Sequence, residues 1–336
     1  MRRSRQGLVA LLAALVVAAT LSFTLGRYPV TTGTVFELLA AKLAGADSQV
    51  PPAAETVVML VRLPRILAAM VVGMALALGG TAYQTIFRNP LASPSLLGVS
   101  AGAGFGASLA LTLHAPSLLI QAAAFAGGLL AVGLSLAFNR LFGSRSMITL
   151  VLCGLVAAAL FEALIAIIKY FADPLEVLPA ITFWLMGSLA KVTTTTIISA
   201  AGPLAVCGLV LYLLRWRTNA LALGDQEAAA LGVEVRLTRL LVILSATFMV
   251  AITVSIGGII GWVGLIIPHA ARMLFGLDPD RTYPATALLG ALFLLVVDDI
   301  ARTMGSVEMP LGVLAAVIGA PVFLVLLSRT RQAVWA

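Results

Sequence analysis

The stretch ILAAMVVGMALALGGTAYQTIF, residues 66–87, decides the fold, because it runs for 22 residues without one ionised side chain. A transmembrane helix needs about 20 mainly apolar residues to cross the hydrocarbon core of a bilayer. A membrane β-strand has only about 10 residues and alternates in polarity, so this continuous run excludes a β-barrel. The sequence predicts an α-helix that spans a membrane.

The rest of the chain has the same character. Of its 336 residues 61% are hydrophobic and 10% are charged, whereas soluble domains carry about 25% charged residues. We predict an all-α polytopic membrane protein that forms a single transmembrane domain over residues 1–336. About ten spans are expected, near residues 7–26, 64–87, 95–113, 117–139, 147–171, 192–214, 239–256, 259–275, 282–300 and 309–328.

The first run, Gly7 to Gly26, follows Arg2, Arg3 and Arg5 and has two interpretations. It could be a secretory signal, but its length and the spans after it favour an uncleaved first helix. With the N-terminus in the cytoplasm, fourteen of the 21 Lys and Arg residues lie on the cytoplasmic side and seven outside, as the positive-inside rule requires. This predicts a multi-pass membrane protein with both termini in the cytoplasm.

The net charge of +7 does not indicate a nucleic-acid partner, because the basic residues are scattered between apolar runs. We expect the chain to contact membrane lipid and not nucleic acid. Cys153 and Cys207 lie inside apolar runs without CxxC spacing, so we interpret both as packing residues. Neither His114 nor His269 has a companion at metal-ligand spacing, and we expect no metal bound by the chain.

Two further segments have a recognisable pattern. Gly98, Gly102 and Gly106 recur every four residues, which favours close helix packing over a nucleotide-binding loop, since no strand precedes them. The polar interruption from Arg215 to Arg239 contains ALALGDQEAAALGVEV, which could form a short amphipathic helix or an ordinary loop. On the cytoplasmic side, such a helix is what a partner protein would need in order to push on the membrane domain.

Five motifs follow one another in an order that resembles the FecCD-type permeases, which import ferric siderophores, haem and cobalamin. The motifs are RLPR at 62–65, NPLASPSLLG at 89–98, LALGDQEAAALG at 221–232, GWVGLIIPHAAR at 261–272 and EMPLGVLAAVIGAPVFLVLL at 308–327. The resemblance implies a homodimeric type II ABC importer permease of the bacterial inner membrane. Such a permease works with a periplasmic binding protein and two cytoplasmic ATPase subunits. The chain has no GxxxxGK[ST] motif, which agrees with a non-catalytic subunit that binds no cofactor while ATP and Mg are bound on its partner.

The resemblance also implies roles for particular residues. The residues expected to dock the binding protein are Arg62, Arg65 and Arg302. The loop at about 215–238 is expected to couple to the ATPase through Leu223, Gly224, Glu227, Leu231 and Gly232. The expected cytoplasmic gate comprises Asn89, Pro90, Leu91, Ser146 and Met147. Glu162 and Lys169 lie seven residues apart on a helix that lines the pathway in this family, so they are pathway candidates. Arg302 is also spaced to pair with Asp299.

Two other classes of function remain as alternatives. An ion-coupled secondary transporter would use a buried carboxylate, for which only Glu162 is a candidate, and would leave the long loop without a role. An intramembrane enzyme would need a catalytic cluster, and no HExxH motif occurs. The sequence does not encode which chelate is carried: a ferric siderophore is the first expectation, with haem, cobalamin and oxyanions on the same scaffold.

Overall fold

The computed structural model describes residues 2–45, 50–143, 146–305 and 307–334, and these ranges contain helices and no strand. The helices are α1 (Arg2–Ser22), α2 (Thr32–Ala44), α3 (Pro52–Thr56), α4 (Leu63–Ile86), α5 (Val99–Thr112), α6 (Ser117–Leu141), α7 (Met147–Phe171), α8 (Val177–Leu185), α9 (Thr194–Leu213), α10 (Arg215–Leu223), α11 (Asp225–Ala230), α12 (Val235–Gly257), α13 (Val263–Phe275), α14 (Pro279–Thr303) and α15 (Leu311–Val334). A π-helical stretch, Val57–Arg62, joins α3 to α4, and a 3-10 turn, Pro94–Leu97, precedes α5.

The ten expected spans correspond to ten helices of the described ranges. Seven helical segments are long and apolar enough to cross a membrane, and α5, α13 and the start of α15 are shorter apolar helices. The division expected between the spans 239–256 and 259–275 is present: α12 ends at Gly257, and Gly258 has a φ of +69°. Pro268 lies inside α13, which has only 13 residues. The all-α polytopic fold is confirmed.

Helix α4 lies at the centre of the bundle and packs against α12, α13 and α14. Glycines allow these close contacts: a Cβ on Gly80 would collide with the carbonyl of Gly264, and one on Gly73 would lie 2.8 Å from the Cβ of Leu294. Small residues let helix backbones approach closely, which matters in a membrane because lipid tails are as apolar as the helices and the hydrophobic effect does not hold helices together there. The two ends of α4 therefore have fixed positions against their neighbours, and both candidate sites described below lie at these ends.

The packing role predicted for the glycines of α5 is confirmed. A Cβ on Gly102 would meet the carbonyl of Gly127, and one on Gly106 would meet the carbonyl of Ala123, both on α6. Gly98, with a φ of +81°, instead faces α7 at Ala158. Helices α2 and α8 have no counterpart among the expected spans, because Glu37 and Lys42 interrupt α2 and α8 has only 9 residues.

Candidate functional site

A cluster of buried charges lies at the first end of α4; we call Arg62, Arg65, Arg302, Asp298, Asp299 and Glu308 the arginine cluster. Nε of Arg65 lies 2.9 and 3.0 Å from the two carboxylate oxygens of Asp298, and NH1 lies 2.8 Å from Oε2 of Glu308. The side chains of Arg65 and Asp298 are 6% and 0% exposed. Charge-assisted hydrogen bonds of this kind are among the strong ones in proteins.

The other two arginines of the cluster tie the end of α1 to the bundle. Arg62 donates to the backbone carbonyls of Phe23 and Tyr28. Arg302 forms an ion pair with Asp299 and donates to the carbonyl of Ser22 over 2.8 Å. The hydroxyl of Ser22 in turn donates to Asp299 over 2.5 Å.

These contacts leave little of the three arginines at the surface of the chain. Arg62, Arg65 and Arg302 are 3%, 5% and 6% exposed, and the three carboxylates of the cluster match their charges. Burial of these charges without partners would be too costly. Arg65 pairs with acids distant in sequence, Arg302 pairs with acids of its own helix, and Arg62 donates to backbone carbonyls. In this structure their charges are not free for a binding protein, and docking at these positions stays a prediction. The predicted pairing of Arg302 with Asp299 is confirmed.

The expected coupling loop lies at the opposite end of the bundle and forms two short helices, α10 and α11, joined at Gly224. Gly224 has a φ of +149°, a backbone conformation that side chains with a Cβ rarely adopt, so glycine is favoured there. Gly232, with a φ of +79°, follows the end of α11. Leu223 and Leu231 flank α11 and are 67% and 65% exposed. The segment therefore presents two apolar side chains that this chain leaves uncovered.

Asp225, the first residue of α11, joins this segment to two other elements. NH2 of Arg88, just after α4, lies 3.2 Å from Oδ1 of Asp225. Nε of Arg88 donates to the carbonyl of Leu221 over 3.0 Å. NH2 of Arg239 on α12 lies 2.7 Å from the same Oδ1. We call Arg88, Asp225 and Arg239 the Asp225 clamp. Arg88 has a φ of +49°, a backbone conformation that an arginine rarely adopts.

The expected gate residues lie around the clamp but do not share one cavity. Ser146 and Met147, at the start of α7, line a cavity of about 460 Å³ together with Phe87, Arg88 and Asp225. Asn89 and Pro90 line a separate cavity, and Leu91 a third. The side-chain oxygen of Asn89 accepts from the backbone N–H of Leu91 over 2.9 Å, which shapes the turn after α4.

The pathway candidates lie on a face of α7 that this chain leaves largely uncovered. Glu162 is exposed near the middle of the helix, and Lys169 is half-buried two turns further on. In the described part of the chain Glu162 has no ion-pair partner. An ionisable side chain at this depth of an apolar span almost always faces protein or water and not lipid. The Glu162 face of α7 is therefore a candidate for contact with a second copy or with a pathway.

Some features escaped the sequence reasoning. Neither the Arg65–Asp298 pair nor the Asp225 clamp carries a local signal in the sequence. A GVSAG sequence at 98–102 has the spacing of a nucleophile motif, but its Ser100 lies at the start of α5, where its hydroxyl is 3.2 Å from that of Ser95. Across the described ranges no strand precedes it, and no group of three or more metal-ligating side chains occurs.

The comparisons with known proteins agree with one another. The model of the FecCD transport family matches residues 14–329. The chain belongs to the FecCD transport family. A molybdate import system permease protein, MolB of Haemophilus influenzae, is 40% identical over 318 residues and covers 95% of this chain and 94% of its own length. The hemin transport system permease protein HmuU of Yersinia pestis is 39% identical over 280 residues, 81% of this chain and 83% of its own.

A solved structure agrees with the family assignment. It is an inward-facing conformation of a transporter described as a metal-chelate type ABC transporter, it is 38% identical, and it matches with a TM-score of 0.87 over 97% of this chain and 99% of its own. This FecCD chain therefore has the fold of a type II ABC permease.

Proposed function

We propose that this chain is the membrane-spanning permease subunit of a binding-protein-dependent ABC importer for a metal chelate. A ferric siderophore is the first candidate substrate, and haem and cobalamin are the alternatives. The relatives named above carry molybdate and hemin, so the scaffold alone does not select one cargo. Two copies of the chain would work with two cytoplasmic ATPase subunits and one periplasmic binding protein, in an inner membrane with both termini in the cytoplasm.

The Asp225 clamp is the observation that carries this proposal. It connects a surface that this chain leaves uncovered, around Leu223 and Leu231, to the turn after α4, where the gate is expected. When the ATPase subunits close, they would displace α11. Because one carboxylate of α11 contacts both Arg88 and Arg239, the displacement would reach α4 and α12 together. Helix shifts at interfaces are one of the ways in which proteins switch between two states.

An ion-coupled secondary transporter remains the second candidate, and Glu162 is the observation that favours it. A lone carboxylate within a span could bind and release a proton during transport. This alternative gives no role to the exposed leucines beside α11. The two candidates therefore differ in whether the α10–α11 segment binds an ATPase.

Co-purification tests this difference directly. We expect the tagged chain, expressed with the ATPase encoded beside it, to retain that ATPase through gel filtration. Replacing the two exposed leucines, Leu223→Asp with Leu231→Asp, should abolish the association, because two buried carboxylates would then lack partners. The matched control is Leu175→Asp, since Leu175 is exposed on the segment between α7 and α8. Retention by the double variant, or no retention by the native chain, would argue against the proposal.

A further inference from the structure

A cavity of about 450 Å³ opens beside the α10–α11 segment, between the ends of α4 and α13 and the beginnings of α10 and α14. Three arginines line it, Arg88, Arg215 and Arg272, together with side-chain amides and hydroxyls. None of the described residues that line the cavity is an Asp or a Glu. The cavity thus offers hydrogen-bond donors and positive charge with no carboxylate of its own.

Arg272 is held in place without being neutralised. It donates to Oε1 of Gln84, and Nε2 of Gln84 donates to the carbonyls of Gly264 and Leu265 over 3.3 and 3.1 Å. Gln84 is only 4% exposed, so two backbone contacts fix which end of its amide faces Arg272. Within the described ranges no carboxylate lies at ion-pair distance from Arg272. A neutral amide positions the guanidinium, and no carboxylate of the described ranges pairs with it.

The other two arginines are paired with acids that lie outside the cavity lining. Arg88 contacts Asp225, which also contacts Arg239, and Arg215 lies 2.6 Å from Oδ1 of Asp280. The three arginines that line the cavity thus have two carboxylate partners, and one of these, Asp225, is shared with Arg239 outside the lining. The excess of positive charge, with planar donors pointing from several helices, suits an anion with several acceptor oxygens.

We propose that this cavity binds a phosphate-type oxyanion, supplied either by the headgroup of an anionic phospholipid or by free phosphate. The volume exceeds that of a single phosphate group, which leaves space for the glycerol portion of a lipid. Basic pockets between helices at the cytoplasmic side of a membrane are suited to anionic headgroups. Asn219, exposed on α10 and without a hydrogen bond in the described part of the chain, adds an amide donor at the cavity.

The test is calorimetric titration of sodium phosphate into the purified full-length chain, at constant ionic strength. Asn219→Asp should weaken binding by about tenfold or more, because it places a carboxylate against the anion at an exposed position. Arg272→Gln should weaken it similarly, by removing a charge-assisted donor. The control is Arg140→Gln, since Arg140 is exposed on α6 and does not line the cavity.

A second arm distinguishes the two sources. The same variants are compared by native mass spectrometry for retention of phosphatidylglycerol against phosphatidylcholine. The site is supported if Asn219→Asp, but not Arg140→Gln, loses phosphate binding, phosphatidylglycerol retention or both. Loss of phosphate binding indicates free phosphate as the source, and loss of phosphatidylglycerol retention indicates the lipid headgroup. No binding to the native chain, or equal binding to Asn219→Asp and the native chain, overturns the proposal. The assays need no partner subunit, so their outcome is independent of the proposed transport function.

Discussion

Removing the charge of Asp298 should strongly destabilise this permease, because the residue is fully buried against Arg65. Asp298→Asn keeps the shape of the side chain but removes the buried carboxylate that pairs with Arg65, whose side chain is 6% exposed. Breaking a buried ion pair by removing one partner costs about 3–5 kcal/mol. An exposed pair offers the matched control: Lys42 and Glu55 are 2.6 Å apart with side chains 51% and 34% exposed. There Glu55→Gln should cost less than about 1 kcal/mol.

The assay is equilibrium unfolding in mixed micelles of a mild detergent and sodium dodecyl sulfate, followed by tryptophan fluorescence. The free energy of unfolding should fall for Asp298→Asn by at least about 2 kcal/mol more than for Glu55→Gln. Replacing both partners, Arg65→Met with Asp298→Leu, should recover much of the loss, because the buried pair is then removed as a unit. Arg302 keeps its ion pair with Asp299, and Glu308, the other partner of Arg65, is 38% exposed. Equal, small losses of unfolding free energy for Asp298→Asn and Glu55→Gln would refute the reasoning, since Arg65 would then not depend on Asp298 and its charge would be available for docking.

Three other predictions follow from the described contacts. Asp225→Asn should lower the rate of uptake into proteoliposomes by up to about tenfold while ATP hydrolysis continues, since the two partly exposed ion pairs of Asp225 supply about 1 kcal/mol or a little more. An equal fall in the rates of uptake and of ATP hydrolysis would contradict the role of the Asp225 clamp. Gly80→Ala should lower the free energy of unfolding by about 1–3 kcal/mol, because its Cβ meets the carbonyl of Gly264. The control is Gly133→Ala, because a Cβ on Gly133 meets nothing within 4 Å; this change should be neutral or stabilising by up to about 1 kcal/mol in the same assay. Equal losses of unfolding free energy for Gly80→Ala and Gly133→Ala would disprove the close contact. Glu162→Gln should preserve ATP-dependent uptake at every pH tested, whereas complete loss would favour the proton-coupled alternative.

Much of the fold could be predicted from the sequence, because lipid imposes a length and a composition on every span. The ten apolar runs marked ten helices, and Gly257 with Gly258 marked the break between α12 and α13. The glycines of α5 were interpreted correctly for the same physical reason, since residues four apart share one helix face. Gly224 and Gly232 likewise marked the ends of α11, where positive φ values occur.

The charged contacts could not be predicted in this way. Arg65 and Asp298 are 233 residues apart, and only the packing of α4 against α14 brings them together. The partners of Arg62 and Arg65 come from elsewhere in the chain. Arg62 contacts the carbonyls of Phe23 and Tyr28, and Arg65 contacts acids on α14 and on the segment after it. The Asp225 clamp was missed for the same reason, since Arg88 and Asp225 are 137 residues apart. Local pattern finds helices, but it does not find partners on distant helices.

The most direct test of the account is uptake of a radiolabelled ferric siderophore into proteoliposomes that hold the permease and its ATPase subunits. The binding protein is supplied outside, ATP inside, and a proton gradient is applied separately. The account predicts uptake only when ATP and the binding protein are both present, at a rate that the proton gradient does not change. Uptake driven by the gradient without ATP, or equal uptake without the binding protein, would contradict it.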